Sequence, residues 1–245
     1  MPTRKTAKIK ARRILSVDVG GTGIKAAVID PKGRFLSRRH RVATPHPCPP
    51  KAFFKAFDEA IAGLADFDCV SVGFPGYVRD GIVHSGPNLA PKDWVKIPLA
   101  RLLSKRLGVP VRIANDADMQ GLAAINGKGL EFVCTLGTGF GSAWFRNGEL
   151  MPHMEIGLSQ APHDLIYDAY IGDAALKKIG VRKWNHRLKK TLTILHTMLN
   201  YDKIHIGGGN ARHIRIKLPA NARIISSNTG IKGGAGLWHR PDKAR

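Results

Sequence analysis

The chain has 245 residues, enough for one large hydrophobic core or two modest ones, and its hydrophobic share of 43% is ordinary for a globular protein. No apolar run approaches the roughly 20 residues of a membrane-spanning helix, and Asp18 interrupts the apolar run after the basic N-terminus, which argues against a signal peptide. The 39 Lys and Arg against 18 Asp and Glu leave a formal net charge of +21, which favours a polyanionic ligand. The three widely spaced cysteines predict neither a disulfide framework nor a zinc site. We therefore expect a cytoplasmic protein.

The first element in chain order is a β-hairpin over residues 14–30. Its first strand carries Asp18 near its end and runs into a glycine loop made of Gly20, Gly21, Thr22 and Gly23. The loop satisfies the loose dinucleotide-binding pattern, but that pattern needs a following helix, and the six residues 24–29 are too few for one. A Walker P-loop sequence is absent. The backbone N–H groups of such a turn can approach phosphate oxygens, and Asp18 is placed to reach Mg²⁺.

Helices and strands alternate after this hairpin. We predict helices over 52–64, 99–107 and 117–125, and strands over 70–74 and 109–114. Such alternation is typical of a mostly parallel sheet with helices packed on it, and ligands collect beyond the carboxyl ends of its strands. It therefore predicts that Asp18, Gly76, Asn115 and Asp116 lie around one crevice.

The glycine hairpin recurs in the second half of the chain. Gly137, Thr138 and Gly139 again join two strands, and they lie 116 residues after Gly21, Thr22 and Gly23, since 137 minus 21 is 116. This spacing is nearly half the chain and predicts two similar α/β halves that offer facing hairpins to one cleft. A chance repeat of a short glycine motif is the alternative.

A basic helical segment follows the second hairpin. Apolar residues from Trp184 to Leu199 recur at helical spacing, and a run of cations without any acidic residue spans 177–190. A row of cations can bind a phosphate polymer by releasing counterions, and a merely solvated helix face is the alternative. The cations in question are Lys177, Lys178, Arg182, Lys183, Arg187 and Lys190. A strand over 203–206 then leads into Gly207, Gly208, Gly209 and Asn210.

Taken in order, these motifs resemble the ROK sugar kinases, and within that family the polyphosphate glucokinases. The likeness covers about residues 14–238 and rests on Asp18–Lys25, Gly73–Gly76, Pro87–Asn88 with Trp94, Asn115–Asp118, Leu136–Gly139, Glu155–Gly157 and Ile206–Asn210. The resemblance implies an α/β fold of the actin/hexokinase-like (ribonuclease H-like) type, duplicated into two domains with a cleft between them. We assign the smaller domain to residues 14–114, the larger to 115–240, and a basic tail to 1–13.

The resemblance also implies transfer of a phosphoryl group from polyphosphate or ATP to the 6-hydroxyl of a hexose, with glucose as the first candidate. Asp116 would be the general base, and Asn88, Asn115, Glu155 and Gly76 would bind the sugar with it. Both glycine hairpins, with Asp18 and Lys25, would hold the donor phosphates and Mg²⁺, and residues 207–210 match the place where the family meets a nucleotide. The basic row at 177–190 favours polyphosphate over ATP.

The role of Asp116 agrees with the chemistry, since phosphoryl transfer needs a carboxylate to accept the proton of the attacking hydroxyl. At the start of a helix we expect this carboxylate to stay ionised through the helix dipole, and a simple N-cap is the alternative. Asp118 has the expected role of a first-turn helix acid.

Two departures from the family pattern open alternatives. Leu158 stands where the family usually has a His that grips the sugar, and His153 and His163 are the candidates to replace it. A sugar-binding protein without turnover is therefore an alternative, as is an ATP-dependent kinase of mannose or N-acetylglucosamine. The zinc-binding cysteine cluster of many ROK proteins is also absent, as it often is in the polyphosphate-using relatives.

The charge alone suggests a third reading, a nucleic-acid-associated protein. Such a protein should carry a reading module or basic residues interleaved with exposed aromatics, and the sequence shows neither. Only thirteen residues precede Ile14, too few for the helix-turn-helix of ROK repressors. A homodimer is expected from the family resemblance alone.

Overall fold

The computed structural model describes residues 13–64 and 66–239, so most of the predicted basic tail and residue 240 lie outside the described residues. The strands are β1 (Ile14–Gly20), β2 (Gly23–Ile29), β3 (His40–Val42), β4 (Cys69–Phe74), β5 (Val78–Arg79), β6 (Ile82–Val83), β7 (Val111–Asn115), β8 (Leu130–Leu136), β9 (Phe140–Arg146), β10 (Glu149–Leu150), β11 (Gln160–Ala161), β12 (Leu165–Ile166), β13 (Lys203–Gly207) and β14 (Ala222–Ile224). The helices are α1 (Pro50–Ile61), α2 (Leu99–Leu107), α3 (Asp116–Ala124), α4 (Tyr167–Ile171), α5 (Asp173–Leu199) and α6 (Thr229–Gly233). Short 3-10 turns cover Ile156–Leu158, Gly209–His213 and Gly234–Trp238.

Two five-stranded sheets carry the fold, and they share one topology. The first has the order β3-β2-β1-β4-β7 and the second the order β10-β9-β8-β13-β14. In each sheet a glycine hairpin pairs antiparallel, β1 with β2 and β8 with β9, and parallel strands extend it on one side. The predicted duplication of a mixed α/β unit is therefore confirmed, and the repeated Gly-Thr-Gly is not a chance echo.

Each sheet has its own hydrophobic core. In the first, Phe53 and Phe57 on one face of α1 pack with Trp94, whose indole N–H donates to the carbonyl of Cys48 at 2.8 Å. In the second, Trp184 and Leu188 of α5 pack against the sheet. Burial of each of these large side chains contributes about 2 to 3 kcal/mol, which holds the two hairpins on rigid supports.

The helix α5 contains a break. Gly180 has a φ of 74° and a ψ of 163°, which are not helical values, so a short segment over 173–179 is followed by a longer helix over 181–199. A φ in this region favours glycine because it has no Cβ. The predicted row of cations therefore lies on two differently oriented helical segments.

The C-terminal segment over 229–238 returns to the N-terminal sheet. The hydroxyl of Ser16 donates to the carbonyl of Ile231 at 2.6 Å, and the hydroxyl of Ser71 donates to the carbonyl of Gly234 at 2.7 Å. Ile231 is buried among residues of β1 and β2. The division into domains at 114/115 stays a prediction, and these contacts show that the last segment of the larger unit also packs on the smaller one.

Within the described residues, none of the helices combines the length and the apolar character required to cross a bilayer.

Candidate active site

The carboxyl ends of three parallel strands bring the predicted crevice residues together. In the pairing of β1 with β4, Asp18 lies opposite Gly73, and in the pairing of β4 with β7, Phe74 lies opposite Asn115. A Cβ atom on Gly73 would lie 3.3 Å from the Cα of Asp116, so glycine allows α3 to begin close to β4. The structure therefore brings Asp18, Asn115 and Asp116 together at one edge of the sheet, and their arrangement around a ligand-binding crevice and their chemical roles remain predictions.

Asn115, and not Asp116, is the N-cap of α3. The Asn115 Oδ1 accepts hydrogen bonds from the backbone N–H of Ala117 at 2.8 Å and of Asp118 at 3.3 Å, and its Nδ2 donates to the carbonyl of Gly76 at 3.1 Å. These bonds use the oxygen and one amide hydrogen of a buried side chain, and one amide hydrogen is left for a ligand. The capping alternative for Asp116 is therefore wrong, because the preceding residue caps the helix.

The half-buried carboxylate of Asp116 has an unusual acidity. Burial and the nearby charges of Asp18 and Glu155 raise the pKa of Asp116 to about 7, although the backbone N–H of Ala117 donates to Oδ1 at 2.9 Å. The expectation that the helix dipole keeps Asp116 fully ionised is wrong, since desolvation and like charges outweigh a favourable helix end. Asp116 is instead a carboxyl group with a pKa near neutrality.

Asp18 is held by an ion pair. The Nζ of Lys25 lies 2.8 Å from Oδ2 of Asp18, across the hairpin of β1 and β2, and the Asp18 side chain is largely buried. Lys25 is thus the partner that neutralises the charge of Asp18. No cluster of three or more His, Cys, Asp or Glu side chains that could hold a metal ion occurs in residues 13–64 and 66–239.

The two glycine hairpins meet across the cleft. A Cβ atom on Gly21 would lie 2.6 Å from Oγ1 of Thr138, so only glycine permits this approach. The Nη2 of Arg41, on β3, donates to the carbonyl of Thr22 at 3.0 Å and covers the first hairpin. Arg41 was not anticipated from the sequence, because nothing in its spacing connects it to the glycine loop.

The second hairpin is braced by two polar side chains and one backbone N–H group. Asp168 of α4 accepts a hydrogen bond from the backbone N–H of Phe140 at 2.6 Å, and burial raises its pKa. Asn210 donates to the carbonyl of Gly137 at 3.2 Å, and the backbone N–H of Asp173 donates to the same carbonyl at 2.9 Å. Asp168 was missed by sequence analysis, and no motif around it could have revealed it.

The predicted Gly207–Asn210 segment divides into tightly packed and open positions. A Cβ atom on Gly207 would lie 2.9 Å from the side chain of Gln120, and Gly208 has a φ of 85° and abuts the backbone of Leu136. In contrast, a Cβ atom on Gly137 or Gly209 would meet no described atom within 4 Å. Gly137 and Gly209 are therefore the two glycines here whose surroundings leave space for a ligand.

A buried imidazole links two acidic side chains beside the crevice. The Nδ1 of His153 lies 3.1 Å from Oδ2 of Asp118, and its Nε2 lies 3.3 Å from Oε1 of Glu155. Burial alone would lower the pKa of His153, but the two carboxylates offset burial and raise this pKa to about 10. Asp118 is in the first turn of α3, as predicted, and in addition it is one of the two acids that hold this imidazolium.

The structure separates the two histidines that were candidates to replace the family His at position 158. His153 contacts Glu155, whereas the ring of His163 lies 6.1 Å from that of Tyr170, on another part of the surface. Leu158 itself is half exposed. His153 is therefore the histidine that belongs to the site.

Asn88 and a nearby cavity complete the surroundings. The half-buried side chain of Asn88 forms no hydrogen bond with another described residue and is free to contact a ligand. A cavity of about 950 Å³ is lined by Asp118, His153 and Tyr77 among others, but not by Asp116, Asn88 or Glu155. This cavity is therefore not the predicted sugar site, despite its size.

The predicted row of cations is only partly available. Lys177 forms an ion pair with Asp173 at 2.6 Å, one helical turn earlier, and Arg187 is half-buried against Tyr170. Lys178, Arg182, Lys183 and Lys190 are exposed. Lys177 is therefore the one cation of this row whose charge is offset by an ion pair within residues 13–64 and 66–239.

Two duplicated α/β units with facing glycine hairpins, and a titratable aspartate where the strands end, define a protein of the actin/hexokinase-like class. The ROK family model matches residues 14–158, more than half of the chain. The chain belongs to the ROK family.

Known proteins resemble the chain over nearly its whole length. A polyphosphate glucokinase of Mycobacterium tuberculosis (strain CDC 1551 / Oshkosh) is 29% identical over 240 residues, which cover 91% of this chain and 90% of the relative. The solved structure of an inorganic polyphosphate/ATP-glucomannokinase from Arthrobacter sp. strain KM superposes with a TM-score of 0.82 at 30% identity and covers 91% of this chain and 96% of that one.

A more distant structure agrees with the fold. A ROK family glucokinase from Streptomyces griseus, solved with glucose and AMPPNP, has a TM-score of 0.77 at 22% identity and covers 92% of this chain and 98% of that one. The predicted fold, the predicted family and the predicted enzyme class, a kinase resembling the polyphosphate glucokinases, are confirmed by these matches.

Proposed function

We propose that the chain is a hexose kinase in which Asp116 accepts the proton of the attacking sugar hydroxyl, with the 6-hydroxyl of glucose as the first candidate. One observation carries this proposal: the carboxylate of Asp116 lies beside Asp18 at the ends of the parallel strands, with a pKa of about 7. A base whose pKa lies near the working pH accepts and releases a proton efficiently. The glucokinase and glucomannokinase relatives support a hexose as the acceptor.

On the acceptor side, Asn88, Glu155 and the remaining amide hydrogen of Asn115 would bind sugar hydroxyls, and Gly76 would lie against the sugar. His153 acts through Glu155, because an imidazolium at 3.3 Å holds the carboxylate in one orientation. A carboxylate that is already oriented loses less conformational freedom than a mobile one when it accepts hydrogen bonds from hydroxyls. This arrangement supports a working sugar site in spite of Leu158.

On the donor side, the backbone N–H groups of Gly20–Gly23 and Gly137–Gly139 would receive phosphate oxygens. Gly137 and Gly209 have room for a ligand, and Asp168 and Asn210 keep the second hairpin in place. Preorganised donors of this kind stabilise the charge of a transferring phosphoryl group without reorganising at the moment of reaction.

The residues present fit a Mg²⁺ ion that arrives with the donor. The charge of Asp18 raises the pKa of Asp116, and a divalent cation near Asp18 would offset that repulsion. Asp18 would hold the ion together with phosphate oxygens, since hard cations prefer oxygen ligands. When bound, Mg²⁺ supplies neutralisation of the phosphate charge.

We further propose inorganic polyphosphate as the preferred donor and ATP as the second. The net charge of +21 and the exposed cations Lys178, Arg182, Lys183 and Lys190 support a polyanion that extends beyond the glycine hairpins. The names of the Mycobacterium and Arthrobacter relatives support the same order. Of the other cations predicted to bind polyphosphate, Lys177 forms an ion pair with Asp173, and Arg187 is oriented by its hydrogen bond to the carbonyl of Tyr170.

A coupled assay tests the proposal. Glucose, mannose and N-acetylglucosamine are each offered with ATP or polyphosphate and Mg²⁺, and wild type is compared with Asp116→Asn. Turnover of a hexose that falls by a factor on the order of 10² to 10⁴ in the variant supports Asp116 as the base. Sugar binding without turnover in the wild type would instead support a silent sugar-binding protein.

A further inference from the structure

A second, smaller pocket lies between the β11–β12 hairpin, α4 and α5. It has a volume of about 260 Å³, and its lining carries cationic, imidazole and phenol groups but no carboxylate. The lining residues are His163, Tyr170, Lys183, His186, Arg187 and Lys190. The nearest acids along the chain, Asp164 and Asp168, are not part of it. Such a pocket is suited to an anion and to nothing cationic.

Arg187, one of the lining residues, is held in an orientation suited to binding an anion. Its Nη1 donates to the carbonyl of Tyr170 at 2.9 Å, and its guanidinium carbon lies 4.6 Å from the centre of the Tyr170 ring. A guanidinium fixed in this way loses little rotamer freedom when it binds a phosphate oxygen. Lys183, His186 and Lys190 form no salt bridge with any residue in the described part of the chain, so the two ammonium groups and the imidazole ring are available to a ligand.

His163 completes the opposite wall. It and Asp164 form the tip of the β11–β12 hairpin with φ values of 65° and 54°, in the left-handed region that non-glycine residues seldom adopt. This turn brings the imidazole of His163 over Tyr170, with the ring centres 6.1 Å apart. The pocket is thus walled on two sides by independent elements.

The pocket is connected to the donor hairpin through α4. Tyr170 is two residues after Asp168, which receives the N–H of Phe140, and three residues before Asp173, whose N–H donates to the carbonyl of Gly137. The short helix α4 therefore contributes Tyr170 to the pocket and Asp168 to the hydrogen bonds that hold the Gly137–Gly139 hairpin. An extended polyanion held at the hairpin would run along this helix.

We propose that this pocket binds a phosphate segment of the inorganic polyphosphate chain whose terminal phosphate is held at the glycine hairpins. The inference rests on the proposed function and adds to it a second anchor, with His163, Tyr170 and His186 as participants that the basic row did not include. ATP, whose three phosphates are used at the hairpins, gains nothing from the pocket. Binding at the pocket therefore distinguishes polyphosphate from ATP.

The test compares two charge-matched double variants of the full chain. The pocket variant is Lys183→Gln with Lys190→Gln, and the control is Lys189→Gln on the same helix with Lys105→Gln on α2, both exposed and outside the pocket. Binding of fluorescently labelled long-chain polyphosphate is measured without sugar at several salt concentrations, and KM is measured for polyphosphate and for ATP. Tripolyphosphate serves as the short-chain probe.

We expect the pocket variant to bind long-chain polyphosphate about tenfold more weakly, with a salt slope smaller by roughly 1.4 for two lost phosphate contacts. The control should stay near wild type, and tripolyphosphate affinity and the KM for ATP should be the same in all three proteins. The proposal is refuted if the control loses as much polyphosphate affinity as the pocket variant, if the pocket variant keeps its polyphosphate affinity, or if the KM for ATP rises in parallel. Binding is measured without turnover. If the wild type is inactive but still binds polyphosphate more tightly than the pocket variant, the pocket proposal stands and only the kinase proposal is refuted.

Discussion

The Nε2 atom of His153 lies 3.3 Å from Oε1 of Glu155, in a position where both side chains are largely removed from water. Asp118 contacts the other ring nitrogen, so one cation is shared by two acids from different halves of the sequence. The imidazolium holds Glu155 in one orientation, and this supports the proposal that the sugar site works with Leu158 in place of the family His.

Replacement of His153 by Gln should raise the KM for hexose more than it lowers kcat, because Glu155 would lose its orientation while Asp116 is untouched. The change also removes one member of a buried charge cluster, which costs on the order of 3 kcal/mol of unfolding free energy. Steady-state kinetics and urea denaturation measure the two effects. His196→Gln, at the exposed far end of α5, is the control, and equal kinetics in H153Q and wild type would refute the positioning role.

The stability effect of His153 should depend on pH in a defined direction. The pKa of His153 is raised from 6.5 to about 10, so its contribution is complete below about pH 6.5 and is lost as the pH rises towards 10. The difference in unfolding free energy between wild type and H153Q should therefore shrink over this window. A difference that is constant from pH 6 to 10 would show that the ring is not held as an imidazolium.

The substitution Asp116→Asn should lower turnover by the factor given above and leave the protein at least as stable. The folded pKa of about 7 exceeds the ordinary 3.8, so ionised Asp116 costs stability that is fully felt above pH 7 and absent below about pH 3.8. Asn should therefore stabilise the fold by on the order of 2 kcal/mol at pH 8, and less at pH 5. Thermal unfolding at the two pH values measures this, and a variant that is less stable at pH 8 would mean that Asp116 is a structural residue.

The acid limb of the pH–rate profile should reflect the pKa of Asp116, and it should shift when the charge of Asp18 is removed. Since the ionised form is the base, kcat/KM should fall about tenfold per pH unit below pH 7. Asp18→Asn should lower kcat and move the limb to lower pH, because one of the charges that raise the pKa of Asp116 is removed. Burial remains, so the limb should stay above 3.8. Glu149→Gln, an exposed acid on β10, should not move it, and a limb that stays at pH 7 in D18N would refute the coupling.

Asp168→Ala should loosen the second glycine hairpin and raise the KM for the phosphoryl donor several-fold, with little change in the KM for hexose. The reason is the loss of the 2.6 Å bond that holds the backbone N–H of Phe140. Asp66→Ala, an exposed acid remote from the hairpin, is the control. Equal changes in the donor and sugar KM values would indicate general destabilisation instead.

The sequence was informative wherever a local pattern determines structure. Helix α2 has the predicted bounds, Leu99–Leu107, because its left-handed C-cap Gly108 marks its end. Helix α1 begins two residues earlier than predicted and ends three residues earlier, since Pro50 is favoured in a first turn. Both glycine hairpins were found for the same reason, as a glycine turn between apolar strands is a short-range signal.

Contacts between distant residues could not be foreseen. The pairing of His153 with Asp118 joins positions from a loop and a helix that share no periodicity, and the same is true of Asp168 and Phe140. The pKa of Asp116 depends on how much water reaches it, which a sequence does not record. The residues over 229–238 are too rich in glycine to show a helical pattern.

The return of residues 229–238 to the first sheet has a consequence for how the protein is made. Ser16 and Ser71 find their hydrogen-bond acceptors in Ile231 and Gly234, which are synthesised 215 and 163 residues later. The face that β1, β2 and β4 share with Ile231 and Ala235 therefore stays uncovered until residues 229–238 have been synthesised. Nascent chains expose this apolar surface during the interval, and exposed apolar surface promotes aggregation.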